Sequence, residues 1–158
     1  VPRHPQRFNE VAALLEQQGL RSVRRSVAMP TADTQVWLGD SMGEMAAYFA
    51  LADLAFIGGS LLPLGGQNLI EAAACDCPVI VGPHTFNFKQ ATEDAISAGA
   101  ALRVDSPEML AATVNRIFGQ KTKLAEMRNA AGLFARAHQG AAGRMLALIA
   151  RWMDPAAR

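Results

Sequence analysis

Three short segments, Asp53 to Ile57, Pro78 to Val81 and Ala101 to Val104, are apolar almost throughout, and stretches of helical pattern separate them. A strand apolar on both faces needs cover on both faces, and strands of that kind alternating with helices predict a parallel sheet with helices on each side. Right-handed crossovers then give an α/β class with a Rossmann-like, doubly wound parallel sheet. At 158 residues the chain reads as a single domain over 1–158. With 51% hydrophobic and 18% charged residues, it is neither disordered nor collagen-like.

The remaining elements follow from local signals. Pro5 to Gln18 sets Phe8, Val11, Ala12 and Leu15 on one helical face, and Gly19 fits the position just past its end. Ser22 to Ala28 and Val36 to Leu38 read as two further strands. Ser41 with Glu44, and Asn68 with Glu71, have capping-box spacing, which predicts helices opening at Ser41 (to about Leu51) and at Asn68. A helix over about Phe88 to Ala98 stops at Gly99. Ser106-Pro107-Glu108 is an N-cap with Pro at the first helical position, and three helices, broken near Gly119 and Gly140, fill the rest.

In an open parallel sheet, ligands sit beyond the carboxyl ends of the strands. The loops after Val1, Leu38, Ile57 and Val81 are therefore expected to share one edge, and they hold the unusual residues. Arg3 and His4 place a cation and a hydrogen-bonding ring at a helix start, which suits a phosphate; the same pair also reads as two exposed residues before a Pro-led helix. Gly39-Asp40-Ser41-Met42-Gly43-Glu44 offers backbone N–H groups, and Gly43 admits close approach; a plain capped helix is the other reading. The loop Gly58 to Gln67 carries two Gly-Gly pairs, Gly58-Gly59 and Gly65-Gly66, around Leu61, Leu62 and Leu64. It reads as a backbone cradle whose apolar side chains line a crevice or meet another domain. Glu71 either caps its helix or accepts two vicinal ribose hydroxyls. His84-Thr85-Phe86-Asn87-Phe88 adds polar groups and two aromatics.

Several function classes drop out. A net charge of +1 gives no case for a nucleic-acid partner. There is no G-x-G-x-x-G or P-loop pattern, no Ser-His-Asp spacing, no metal-binding cluster and no pair of acids with a clear role. Cys75 and Cys77 stand too close for a good disulfide and too poor in ligands for zinc, which points to a reducing compartment. No stretch approaches the roughly 20 apolar residues of a membrane span, and no signal peptide is visible. The chain begins Val1-Pro2-Arg3, and the expectation is an excised domain with Val1 as the last residue of a strand.

Taken together, Pro2-Arg3-His4-Pro5-Gln6-Arg7-Phe8, Gly39 to Glu44, Gly58-Gly59-Ser60, Gly65-Gly66-Gln67-Asn68-Leu69-Ile70-Glu71 and Gly82 to Phe88 resemble the C-terminal half of the Kdo (3-deoxy-D-manno-octulosonic acid) transferases of Gram-negative lipopolysaccharide synthesis. The resemblance runs from Val1 to about Ile149. It departs at Gln67, where a His is expected, at Ala72, where a Pro is common, and at Cys75-Asp76-Cys77, which replaces a plainer turn.

The resemblance implies the C-terminal half of a GT-B glycosyltransferase, inverting and independent of a bound metal or other cofactor. The absence of Asp-x-Asp agrees on the metal. It implies CMP-Kdo as donor, and an N-terminal half carrying a membrane anchor, the lipid A precursor site and an acidic catalytic base, at the cytoplasmic face of the inner membrane. By position, Pro2 and Arg3 fall near the CMP phosphate, Met42, Gly43 and Glu44 at the nucleotide, and Asn68, Leu69, Ile70 and Glu71 at the ribose and cytosine. His4, Gly59, Ser60, Gly65, Gly66, Gln67 and His84 are candidates for lining the donor-sugar side. On this reading the fragment holds no catalytic residue and is inactive alone. The final helix, about 140–158, is expected to reach toward the N-terminal half and to expose apolar side chains among Met145, Leu146, Ile149, Trp152 and Met153; Leu61-Leu62-Pro63-Leu64 is expected to be mobile or covered by a neighbouring molecule. The competing readings are another GT-B transferase or an epimerase using a UDP-sugar, and a non-catalytic Rossmann-like interaction domain.

Overall fold

A computed structural model describes residues 1–138 together with Leu146 and Ile149. The chain divides into two compact units, Val1–Tyr48 and Phe49–Arg158.

In the first unit a single 3-10 turn, Pro5–Arg7, leads into α1, Phe8–Gln17. Gly19 ends the helix as the sequence predicts: its φ is +66°, Leu20 N–H returns to Leu15 C=O at 3.0 Å, and Gly19 N–H to Glu16 C=O at 2.9 Å. Two short strands, β1 (Ser22–Arg24) and β2 (Val36–Leu38), pair in parallel with Arg24 opposite Leu38. The first strand is shorter than its apolar pattern suggests, because the chain turns at Arg25. The next helix, α2, spans Met45–Leu51, not from Ser41. The Ser41 hydroxyl bonds the Glu44 carboxylate itself, so the two residues form no backbone capping box.

In the second unit β3 (Ala55–Phe56), β4 (Val79–Val81) and β5 (Ala101–Arg103) form a parallel sheet in the order β3-β4-β5. The parallel ladders thus fall into a two-stranded and a three-stranded sheet, not one continuous ladder. β4 shows why the sequence has apolar runs. Val79 and Val81 enter a cluster with Leu69, Ala72, Ala95 and Phe134, while Ile80 enters another with Val104, Ile117 and Met127. Successive side chains point to opposite faces, and both faces are covered.

The helices of this unit are α3 (Ile70–Ala73), α4 (Lys89–Ser97), α5 (Pro107–Phe118) and α6 (Lys121–His138). α4 ends at Gly99 in the same way as α1, with Ala100 N–H on Ala95 C=O at 2.9 Å. Ser106 caps α5 as expected, its Oγ accepting from Met109 N–H at 3.2 Å. α3 begins at Ile70, later than the predicted opening at Asn68. The expected break at Gly140, the helix over 140–158, and the predicted exposure of Met145, Trp152 and Met153 lie outside the described residues. Leu146 and Ile149 are exposed.

Candidate functional site

The sequence-selected residues divide between the two units. Arg3, His4, Met42, Gly43 and the half-buried Pro2 and Glu44 lie in the first; Gly59 to His84 lie in the second.

In the first unit, the segment after β2 is held from beneath. Asp40 is 7% exposed and accepts from Arg24 Nε at 2.6 Å, Ser26 N–H at 2.8 Å and Ser26 Oγ at 2.6 Å. Burial pushes the Asp40 carboxyl toward higher pKa, but the Ser26 hydroxyl and amide and the Arg24 guanidinium outweigh it and hold the value at about 2. Glu44, predicted to contact a nucleotide, has its carboxylate engaged within the protein: Arg25 Nη2 donates to one oxygen at 3.0 Å and Ser41 Oγ to the other. What it can still offer a ligand is its backbone. Met42 and Gly43 project from the segment, and Gly43 has φ +77° with open space where a Cβ would stand. Gly39 has no such room. A Cβ there would come within 2.7 Å of Val1 Cγ2 and 2.9 Å of the Tyr48 ring.

In the second unit, the loop after β3 is pinned by Ser60. This residue is fully buried; its Oγ donates to Ile57 C=O at 2.5 Å and accepts from Gly82 N–H at 2.8 Å, and its C=O accepts from His84 N–H at 2.9 Å. Its side chain, expected to line the donor-sugar side, instead joins the loops after β3 and β4. Gly65 and Gly66 are likewise buried, with φ of +86° and +71°. A Cβ on Gly65 would overlap the Asn87 amide at 2.3 Å, so this glycine allows the two loops to close on each other. Gly59, Gln67 and His84 are half-buried. Of the loop leucines, Leu62 and Leu64 are exposed as expected, while Leu61 packs on the cluster around Ile80.

The segment 68–71 is partly a ligand-facing surface and partly core. The Asn68 side chain caps α3, Oδ1 accepting from Ile70 N–H at 3.0 Å, and its amide donates to Glu71 Oε1 at 2.9 Å. Glu71 is thereby oriented without being buried, and it remains exposed. Leu69 is 1% exposed and sits in the core, so its side chain cannot touch a nucleotide; only its backbone can.

A cavity of about 500 Å³ lies elsewhere in the second unit, lined by Ala50, Cys75, Asp76, Arg128, Asn129 and Arg136. Cys75 and Asp76 precede β4, at the amino edge of the sheet, whereas the glycine-rich loops follow its carboxyl edge. In an open parallel sheet the carboxyl edge is the ligand edge, so the loops are the candidate site. Sequence reasoning missed the Asp40 and Glu44 networks, whose signal was the Arg24-Arg25-Ser26 run beside Asp40 and Glu44. Among the described residues no group of three or more His, Cys, Asp or Glu is placed to hold a metal.

No protein-family model matches the chain. It is 48% identical over 97% of its length to a 3-deoxy-D-manno-octulosonic acid transferase of Bordetella pertussis, and 38% identical over 98% to one of Haemophilus influenzae. The chain spans 36% of the length of each of these relatives. Among solved structures, it matches the C-terminal CMP-Kdo binding domain of WaaA from Acinetobacter baumannii with a TM-score of 0.80 and 34% identity, over 85% of this chain and 70% of that one. Sequence and fold agree over most of that solved domain, and the chain belongs to the 3-deoxy-D-manno-octulosonic acid transferase family.

Proposed function

We propose that the chain binds the sugar nucleotide CMP-Kdo as the donor half of a GT-B, inverting, metal-independent Kdo transferase. The observation that carries this is its likeness to a solved CMP-Kdo binding domain at 34% identity. The whole enzyme would move Kdo to a lipid A precursor in lipopolysaccharide synthesis, at the cytoplasmic face of the inner membrane. Its remaining length would supply the acceptor site, the membrane anchor and the acidic base.

The chemistry assigns each group a task. The base takes the acceptor hydroxyl proton; the hydroxyl oxygen then bonds to the anomeric carbon of Kdo on the face opposite CMP, and the bond from that carbon to the CMP phosphate oxygen breaks. Negative charge grows on the departing phosphate. The Arg3 guanidinium and the backbone N–H groups of Met42 to Glu44 are the donors proposed to meet it, with Pro2 alongside. Exposed Glu71, oriented by Asn68, accepts the ribose hydroxyls, and the backbone of Leu69 and Ile70 flanks the nucleoside. Calorimetric titration with CMP and with UDP tests the reading. Binding of CMP and not of UDP is the expected result, and a chain that takes up UDP, or neither nucleotide, overturns it.

A further inference from the structure

The proposed nucleotide segment of the first unit is gripped at both ends by two consecutive arginines. Arg24 is the last residue of β1, and Arg25, where the chain turns, still donates its N–H to Leu38 C=O at 2.8 Å. One guanidinium reaches Asp40 at 2.6 Å, with its Nη1 also on Asn9 Oδ1 at 2.8 Å, and the other reaches Glu44 at 3.0 Å. Ser26 doubles the grip on Asp40 through its N–H and hydroxyl. Ser41 doubles the grip on Glu44, and its own hydroxyl meets Tyr48 OH at 2.7 Å. Between the two anchors, Met42 is 62% exposed and Gly43 sits at φ +77°.

We infer that Arg24 and Arg25 form a clamp that sets the Asp40–Glu44 segment in its nucleotide-binding conformation before the nucleotide arrives. This rests on the donor-binding reading above. A short segment with a glycine at its centre is costly to order, and ordering it in advance removes that cost from binding. Each arginine is paired with a carboxylate of the segment, so it acts through the segment and not on the phosphate. They are positioning residues, and the pairs decide which way the Met42 and Gly43 N–H groups face.

The test uses this chain with two readouts: calorimetry with CMP, and amide hydrogen exchange without ligand. Arg25→Ala is expected to weaken CMP binding about tenfold, as expected for the loss of one preorganising contact. It should also speed exchange at Met42 and Gly43, while the thermal midpoint holds, because the Arg25–Glu44 pair is 39% and 37% exposed. Arg25→Lys should recover part of the affinity, and Arg25→Ala combined with Glu44→Gln should be no weaker than either change alone. Asp40→Asn probes the other end with the same readouts. Unchanged exchange in both Arg25→Ala and Asp40→Asn overturns the clamp. So does lost affinity with unchanged exchange, which would place the Arg25 guanidinium on the phosphate. CMP failing to bind the unaltered chain strikes the donor reading alone, since the exchange readout needs no ligand.

Discussion

At the scale of single residues, two carboxylates show how environment divides labour. Glu71 stays exposed and has its geometry set by one amide hydrogen bond from Asn68. Hydrogen bonds to charged groups are worth about 1.5–3 kcal/mol when a neutral partner replaces them, so Glu71→Gln is expected to lower CMP affinity roughly ten- to a hundredfold. Calorimetry on the variant checks this, and unchanged affinity removes the ribose role. Asp40 has the opposite surroundings, enclosed and bonded by three donors. Its pKa, held at about 2 against an ordinary 3.8, is lower folded than unfolded, so its stabilisation is fully present above pH 4 and is lost as pH falls toward 2. The contribution is on the order of 2 kcal/mol. Asp40→Asn should flatten the fall in stability of the first unit between pH 4 and 2, read by circular dichroism; an unaltered pH profile would contradict the assignment.

At the scale of elements, the loops after β3 and β4 are set by backbone contact more than by side chains. Gly82 lies against Ser60: a Cβ there would stand 2.3 Å from Ser60 C=O oxygen and 2.5 Å from Leu61 N. Neither atom can swing away, so Gly82→Ala is expected to destabilise the second unit by about 1–3 kcal/mol or more. Gly58, in the same sheet-edge region, has open space and no left-handed φ, so Gly58→Ala should be neutral or stabilise by about 0.4–1 kcal/mol. Thermal melts of the pair separate steric fit from glycine content, and equal losses would refute the steric account. The same elements mark what was legible in the sequence. Gly19, Gly99 and Ser106 were legible because their signals are local, within one turn of helix. The start of α2 was misplaced because Ser41 bonds the Glu44 carboxylate where a capping box would satisfy backbone, and that of α3 because Asn68 accepts from Ile70 N–H two residues on, one position before the helix's own N-cap Leu69. Strand positions were legible from apolar runs, but strand lengths were not, since pairing ends where the partner turns away. The Asp40 network joins residues 14 and 16 positions apart, and no periodicity reports such a meeting. The burial of the Ser60 and Leu69 side chains was not legible for a related reason: burial is a property of the packed loop.

At the scale of the whole molecule, the chain spans 36% of the length of its Bordetella and Haemophilus relatives, and it matches a solved domain that is itself a donor-binding part. Donor binding and group transfer need different groups. Binding needs cations, N–H donors and an acceptor for the ribose, and Arg3, the Met42–Glu44 backbone and Glu71 are the groups proposed for those tasks. Transfer needs in addition a base within reach of the acceptor hydroxyl, and a surface that holds the acceptor. The carboxylates of the proposed nucleotide segments already have tasks: Asp40 bonds Arg24 and Ser26, Glu44 bonds Arg25 and Ser41, and Glu71 is the one proposed for the donor's ribose. The exposed apolar side chains of Leu62, Leu64 and Phe86 lie on the same loops as the glycine cradle and offer contact area without a proton acceptor. The chain is therefore expected to bind CMP and to catalyse no transfer. Incubation with CMP-Kdo and a lipid A precursor should release CMP no faster than donor and acceptor do without protein, while the same preparation still takes up CMP in the calorimeter. Release above that background by this chain alone would mean that a base has been overlooked among its own residues, and the division of labour proposed here would fall with it.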